Sequence, residues 1–294
     1  MKKEIGILGL GSMGAAIALN LKKKYKIFGY DINKYNKIKS TKNFFFVKNL
    51  KEIFLKTDIL IIIVLNENQC QKILNTFIKI KKDLKISKNH TIINCTTVSP
   101  NWVKEIYKKL KKNNFEYIDC PVSGGPKKAM KGKLSLILSS KENIYKKNLA
   151  LLKDIGNNIY NLGNNIGTGS TVKIINNCLA GIQIVSAAEA IILAKKEKID
   201  LNKIFKIINN SSGQSWMFAD RGERMIKKEY FKPLSRLSIF KKDMKLANEL
   251  RKKHFINLPL TKVAFKMYVK GCKQGLENFD DSAVIRLLEK KVFK

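Results

Sequence analysis

The feature that most narrows the possible folds is Gly9-x-Gly11-x-x-Gly14, set between the apolar run Ile5-Gly6-Ile7-Leu8 and a segment with Met13, Ile17 and Leu21 at helical spacing. Strand, tight turn and helix in that order open a dinucleotide-binding unit. The first glycine permits the turn, the second lets backbone approach a pyrophosphate, and the third lets the helix pack closely on the strand. Gly9, Leu10, Gly11, Ser12, Met13 and Gly14 are therefore expected to bind a cofactor, its phosphates facing the N–H groups at the helix start. Residues 25–30 read as a second strand closed by Asp31, 22 positions after Gly9. A carboxylate there can accept from ribose hydroxyls and repels a 2′-phosphate. NAD rather than NADP is the expected cofactor, with Lys34 the nearby cation able to soften that preference.

The pattern continues as strand 58–65, helix 69–80, strand 91–95, a helix opened by Ser99-Pro100 and running to Leu110, and strand 116–119. Strands alternating with helices of this length predict an α/β fold: an N-terminal Rossmann domain with a doubly wound, mostly parallel sheet. Beyond Gly163 the β pattern stops. A long helical period covers residues 170–196, followed by helical segments at 203–209, 238–252, 260–274 and 282–290, so the C-terminal domain is expected to be all-α. The boundary is placed in the glycine-rich stretch near residue 165, giving residues 1–165 for cofactor binding and 166–294 for substrate and oligomerisation. Ala and Gly along residues 179–190 suit close helix packing, in the core or between subunits.

Net charge is +35, yet the lysines are spread as short runs (Lys22 to Lys24, Lys81-Lys82, Lys195-Lys196) over the whole of the 294 residues. That spread points away from a nucleic-acid partner, which clustered cations would favour; a non-catalytic basic scaffold is the rival class. The longest apolar run, residues 59–65, is far below the roughly 20 residues of a membrane span. The N-terminus lacks the apolar stretch and small-residue cleavage site of a secretory signal, so a cytoplasmic, membrane-free protein is expected. Five scattered cysteines with no C-x-x-C pair are expected to be reduced and packed, and His90 and His254 sit in no metal-ligand spacing, so no metal is expected.

Motifs along nearly the whole chain resemble those of the β-hydroxyacid dehydrogenases. The glycine turn extends to Ala18-x-Asn20-Leu21. Asp119-Cys-Pro-Val-Ser123-Gly124-Gly125-x-x-x-Ala129-x-x-Gly132 is similar to the family's substrate-binding segment, and Gly167-x-Gly169-x-x-x-Lys173-x-x-x-Asn177 to its catalytic one. Lys242-Asp243-Met-x-Leu246-Ala247 resembles its C-terminal cofactor-contacting stretch. Within the family, Val64-Leu65-Asn66-Glu-Asn-Gln69, Gly213-Gln-Ser-Trp216-Met-Phe218-x-x-Arg221 and Asp280-Asp-Ser-Ala283 resemble members acting on short sugar acids.

The resemblance implies an NAD-dependent oxidoreductase acting on a small hydroxy acid and assembled as a homodimer or homotetramer. Oxidising an alcohol needs a group that takes the hydroxyl proton as hydride leaves. By resemblance that group is Lys173; among so many lysines, position alone shows only that it is suitable. Asn177, one turn along the same helical face, is expected to orient substrate or lysine. Ser123, Gly124 and Gly125 follow a strand at the carboxyl edge of the sheet, where hydroxyl and N–H groups suit a substrate carboxylate. Leu65, Asn66, Thr97 and Lys242 are implied cofactor contacts. Trp216 and Phe218 either wall the pocket or belong to the core.

Overall fold

The computed structural model describes residues 2–33 and 40–289, and the chain forms two compact units, Met1–Lys173 and Ile174–Lys294. In the first, strands β1 (Glu4–Leu8), β2 (Lys26–Tyr30), β3 (Phe44–Phe46), β4 (Ile59–Ile62), β5 (His90–Asn94) and β6 (Phe115–Asp119) are parallel, in the order β3-β2-β1-β4-β5-β6. The chain leaves β1 toward one side and crosses to β4 on the other, so the strand order reverses beside the end of β1. Doubly wound sheets bind ligands at such a point. Beyond β6 the sheet is mixed: β8 (Ser135–Ser140) runs antiparallel to β6 and to its short continuation β7 (Val122–Ser123), and β9 (Asn158–Asn161) lies parallel to β8.

Both faces are covered because the central strands are apolar on both sides. On one face Ile5, Ile7 and Ile61 pack with helices α1 (Ser12–Leu21), α5 (Gly125–Met130) and α6 (Glu142–Ile155) through Ile17, Ala129 and Leu152. On the other, Leu8, Leu60 and Ile92 meet α2 (Leu50–Lys56), α3 (Glu67–Asp83) and α4 (Pro100–Lys112) through Phe54, Phe77 and Ile106. Each of these large side chains, fully buried, contributes roughly 1.5–3 kcal/mol.

The long helix α7 (Thr168–Lys196) starts in the first unit. The second unit continues with α8 (Leu201–Asn209), a π-helical turn (Phe218–Gly222), α9 (Glu223–Lys227), α10 (Leu237–Lys253), α11 (Pro259–Lys273) and a closing 3-10 helix (Asp281–Leu287). That last element was expected to be α-helical to residue 290, which lies outside the described residues. Its tighter winding follows from its anchors: Asp280 accepts from the backbone N–H and hydroxyl of Ser282, while Arg221 grips the buried Asp281 at 2.5 and 3.0 Å. Removing one partner of such a pair strands a buried charge.

Among the described residues α7 alone is long and apolar enough to cross a membrane by length and composition, a property the short apolar runs in the sequence did not reveal. Half of its most apolar stretch is buried. Ala180, Ile184 and Ala188 pack with Phe240, Met244 and Tyr268, and a Cβ on Gly181 would stand 2.5 Å from the Met244 sulfur. These small residues of α7 therefore serve the unit's own core.

Several helices end on a non-glycine residue in the left-handed region, at Lys85, Asn114, Lys198, Lys228 and Phe255. Phe255 is the bulkiest, has φ +55° and is 95% exposed, with its N–H donating to the Lys252 carbonyl and that of Ile256 to Arg251. Glycine is the residue this cap prefers. Phe255→Gly is expected to stabilise the protein by about 1 kcal/mol, the left-handed penalty relieved outweighing the added chain entropy. A urea midpoint that fails to rise would contradict this.

Candidate active site

The glycine turn is built from three unlike requirements. Gly9 takes φ +92° and donates to the Tyr30 carbonyl at 2.9 Å; a Cβ there would run into the Ile63 carbonyl. At Gly14 a Cβ would collide with the Gly9 carbonyl oxygen, so α1 can sit on the turn only with glycine at that position. A Cβ on Gly11, by contrast, would meet nothing within 4 Å. The fold itself does not require glycine there, whereas a ligand lying against the backbone does. The α1 N-terminus has neither a side-chain cap nor an acidic residue in its first turn, so its positive end is left for an external anion.

Asp31 takes part in the turn. Its Oδ2 accepts from Leu10 N at 2.6 Å and its Oδ1 from Asn33 N at 2.8 Å. Each carboxylate oxygen keeps a further lone pair for a hydroxyl donor. Leu10 is buried, Met13 half-buried and Ser12 exposed. Lys34 lies outside the described residues. The residues present thus fit NAD: room over Gly11, free donors at the helix start and a carboxylate at the end of β2.

The neighbouring strands end on the same carboxyl edge of the sheet. After β4, Asn66 caps α3 by accepting from Gln69 N at 3.0 Å, and Gln69 Oε1 accepts from Leu65 N at 2.9 Å, a reciprocal arrangement that fixes this loop. The Asn66 side chain therefore has a structural use, and the Leu65 side chain is exposed. After β5, the Thr96 hydroxyl accepts from Val64 N at 3.0 Å, tying the two loops together, and Thr97 is half-buried. Ser123, the last residue of β7, is half-buried, and Gly124 and Gly125 after it take φ +128° and +72°, conformations in which side chains are strained. His90 opens β5 at the opposite, amino edge, buried and stacked on Phe54 with ring centroids 4.0 Å apart.

Lys173 is buried on the second turn of α7. The start of that helix is held by a side chain far away in sequence. Asp119, fully buried at the end of β6, accepts from the Ser170 hydroxyl at 2.6 Å and from Ser170 N at 2.9 Å. The Ser139 hydroxyl on β8 donates to Asp119 at 3.2 Å and receives the N–H groups of Gly167 and Gly169 at 3.2 and 3.3 Å. Burial pushes the Asp119 carboxyl up to about 6, against the pull of the hydrogen bonds from Ser170, Ser139 and Gly167. Nothing in the sequence marked Ser139 or Ser170, because their partners are distant; Asp119 was visible only as the first residue of a motif.

Within the second unit, Asn177 Nδ2 donates to Asp243 Oδ2 at 2.7 Å, and Lys242 Nζ lies 2.8 Å from Asp243 Oδ1. A single buried carboxylate thus joins two residues singled out separately, and its acidic character beside Lys242 in the motif was the available signal. Phe218 is core, stacked on Phe205, whereas Trp216 is 59% exposed.

A family model described as the NAD binding domain of 6-phosphogluconate dehydrogenase matches residues 4–163, and one described as NAD-binding of NADP-dependent 3-hydroxyisobutyrate dehydrogenase matches residues 167–288. The L-threonate dehydrogenase of Haemophilus influenzae is 32% identical over 287 residues, which are 97% of this chain and 94% of the relative. The 2-hydroxy-3-oxopropionate reductase of Escherichia coli is 27% identical, covering 97% of each chain. A crystal structure of 3-hydroxyisobutyrate dehydrogenase from Salmonella typhimurium matches with a TM-score of 0.85 at 30% identity, covering 97% of this chain and 99% of that one.

Proposed function

The chain belongs to the β-hydroxyacid dehydrogenase family, NAD-dependent oxidoreductases of small hydroxy acids, and we propose that the acid it oxidises is L-threonate, giving the 2-keto acid. The observation that carries this choice is the likeness to L-threonate dehydrogenases across nearly the full length of both chains, at 30–32% identity. The Ser215-Trp216-Met217-Phe218 stretch supports it.

In this reading NAD, when bound, accepts the hydride that leaves the hydroxyl-bearing carbon. Gly9, Leu10, Gly11, Ser12, Met13 and Gly14 hold its pyrophosphate, Asp31 its adenine ribose, and Leu65, Asn66, Thr97 and Lys242 contact the remainder. Ser123, Gly124 and Gly125 bind the substrate carboxylate through hydroxyl and backbone donors. Lys173 takes the hydroxyl proton, and Asn177 orients the reacting group with its amide fixed by Asp243. Residues 1–165 act as the NAD-binding domain and residues 166–294 as the all-α substrate and oligomerisation domain. Assembly as a homodimer or homotetramer is supported by Ile175 and Leu179, both exposed and one turn apart on α7.

Initial rates with L-threonate, D-glycerate and 3-hydroxyisobutyrate, each with NAD and with NADP, test the substrate. The highest kcat/KM is expected for L-threonate with NAD. A clear preference for either of the other acids would overturn L-threonate while leaving the family chemistry intact.

A further inference from the structure

We propose that Asp119 is a positioning residue for the acid/base step, its buried carboxylate fixing the first turn of α7 on the sheet so that Lys173 is presented in a single place. This rests on the reading of Lys173 as the acid/base.

The geometry is that of a cap supplied from afar. Three α-helices are capped locally: Asn49 accepts from Glu52 N, Asn66 from Gln69 N, and Asp200 from Asn202 and Lys203 N. Such caps stabilise a helix and leave its placement free. At α7 the accepting carboxylate belongs to β6, 51 residues before Ser170. Both Asp119 oxygens are used, and Ser139 binds the preceding N–H groups, so the helix start is tied to two strands at once. Gly169 allows the approach, because a Cβ there would stand 2.6 Å from the Ile137 carbonyl oxygen.

Lys173 is three residues after Ser170, on the same helical face, and helical side chains lean toward the preceding turn. A displacement at Ser170 therefore reaches the lysine directly. Misplacing a catalytic group by about 1 Å lowers rate by on the order of 10²-fold. The titratable groups beside Asp119 are Tyr117, pushed up by burial and then by the Asp119 charge, and Cys120, pushed up by its hydrogen bond with Cys95, by burial and last by the Asp119 charge; β8 and α7 present the serine hydroxyls and N–H groups already named.

The test is Asp119→Asn in the full chain, with kcat and KM for L-threonate measured separately and NAD binding followed by fluorescence. The expected result is a kcat lowered about 10-fold or more, with KM for L-threonate and NAD affinity little changed. A wild-type kcat, even with a changed melting temperature, would overturn the proposal. If Asp119→Asn does not fold, Ser170→Ala and Ser139→Ala decide: lowered kcat in folded variants supports it, wild-type kcat in both overturns it. An active Lys173→Ala enzyme would remove the premise and the proposal together, whereas an inactive one beside a wild-type-like Asp119→Asn removes the proposal alone.

Discussion

Lys173→Ala is expected to lower kcat by about 10²–10⁴-fold, the range spanned by positioned acid/base groups. NAD affinity, read from fluorescence titration, should change little, because the glycine turn and Asp31 hold their places through contacts on β1, β2 and α1 that do not involve the lysine. Lys173→Arg sharpens the test. It retains positive charge, so a role limited to attracting the acid would survive, but a guanidinium does not give up its proton near neutral pH. Both variants should lose kcat to this extent. Substantial turnover in Lys173→Ala would show that another group moves the proton.

The second large effect separates two glycines that look alike in sequence. Gly14→Ala is expected to lose both stability and NAD binding, because the new methyl would collide with the Gly9 carbonyl and push α1 away from the turn. Overpacking of this kind costs about 1–3 kcal/mol or more. Gly11→Ala should fold as the wild type does, within ~0.5 kcal/mol, since its Cβ would meet no protein atom within 4 Å. Its NAD affinity should nevertheless fall at least about 10-fold, as the methyl occupies space a pyrophosphate needs. Thermal melts with and without NAD measure both quantities. Equal loss of stability in the two variants would mean that Gly11 is a structural glycine.

Much of the first unit was legible because its signals are local. The glycine turn and the apolar runs of β1, β4 and β5 each lie within a few residues of the feature they determine. What stayed hidden depends on distant partners. β8 pairs antiparallel with β6 and β7, a reversal that no local signal announces, and β9, reached through α6, is a polar edge strand with little apolar pattern. The clamp of Asp119, Ser139 and Ser170 joins three separate segments. In the second unit the motif Lys242-Asp243 was visible, yet the link from Asp243 to Asn177 spans 66 residues and appears only in three dimensions. Lys173 itself, one lysine among many, drew its role from the family motif, and its burial, which Lys81 shares, sets it apart physically from the solvated lysines.

The most direct measurement follows the hydride. L-Threonate carrying deuterium at C2 is incubated with NAD and the enzyme, and the reduced cofactor is isolated and analysed by mass spectrometry. Transfer from that carbon predicts one deuterium in each NADH formed and a 2-keto product without it. NADH free of deuterium, or deuterium retained in the product, would contradict the account.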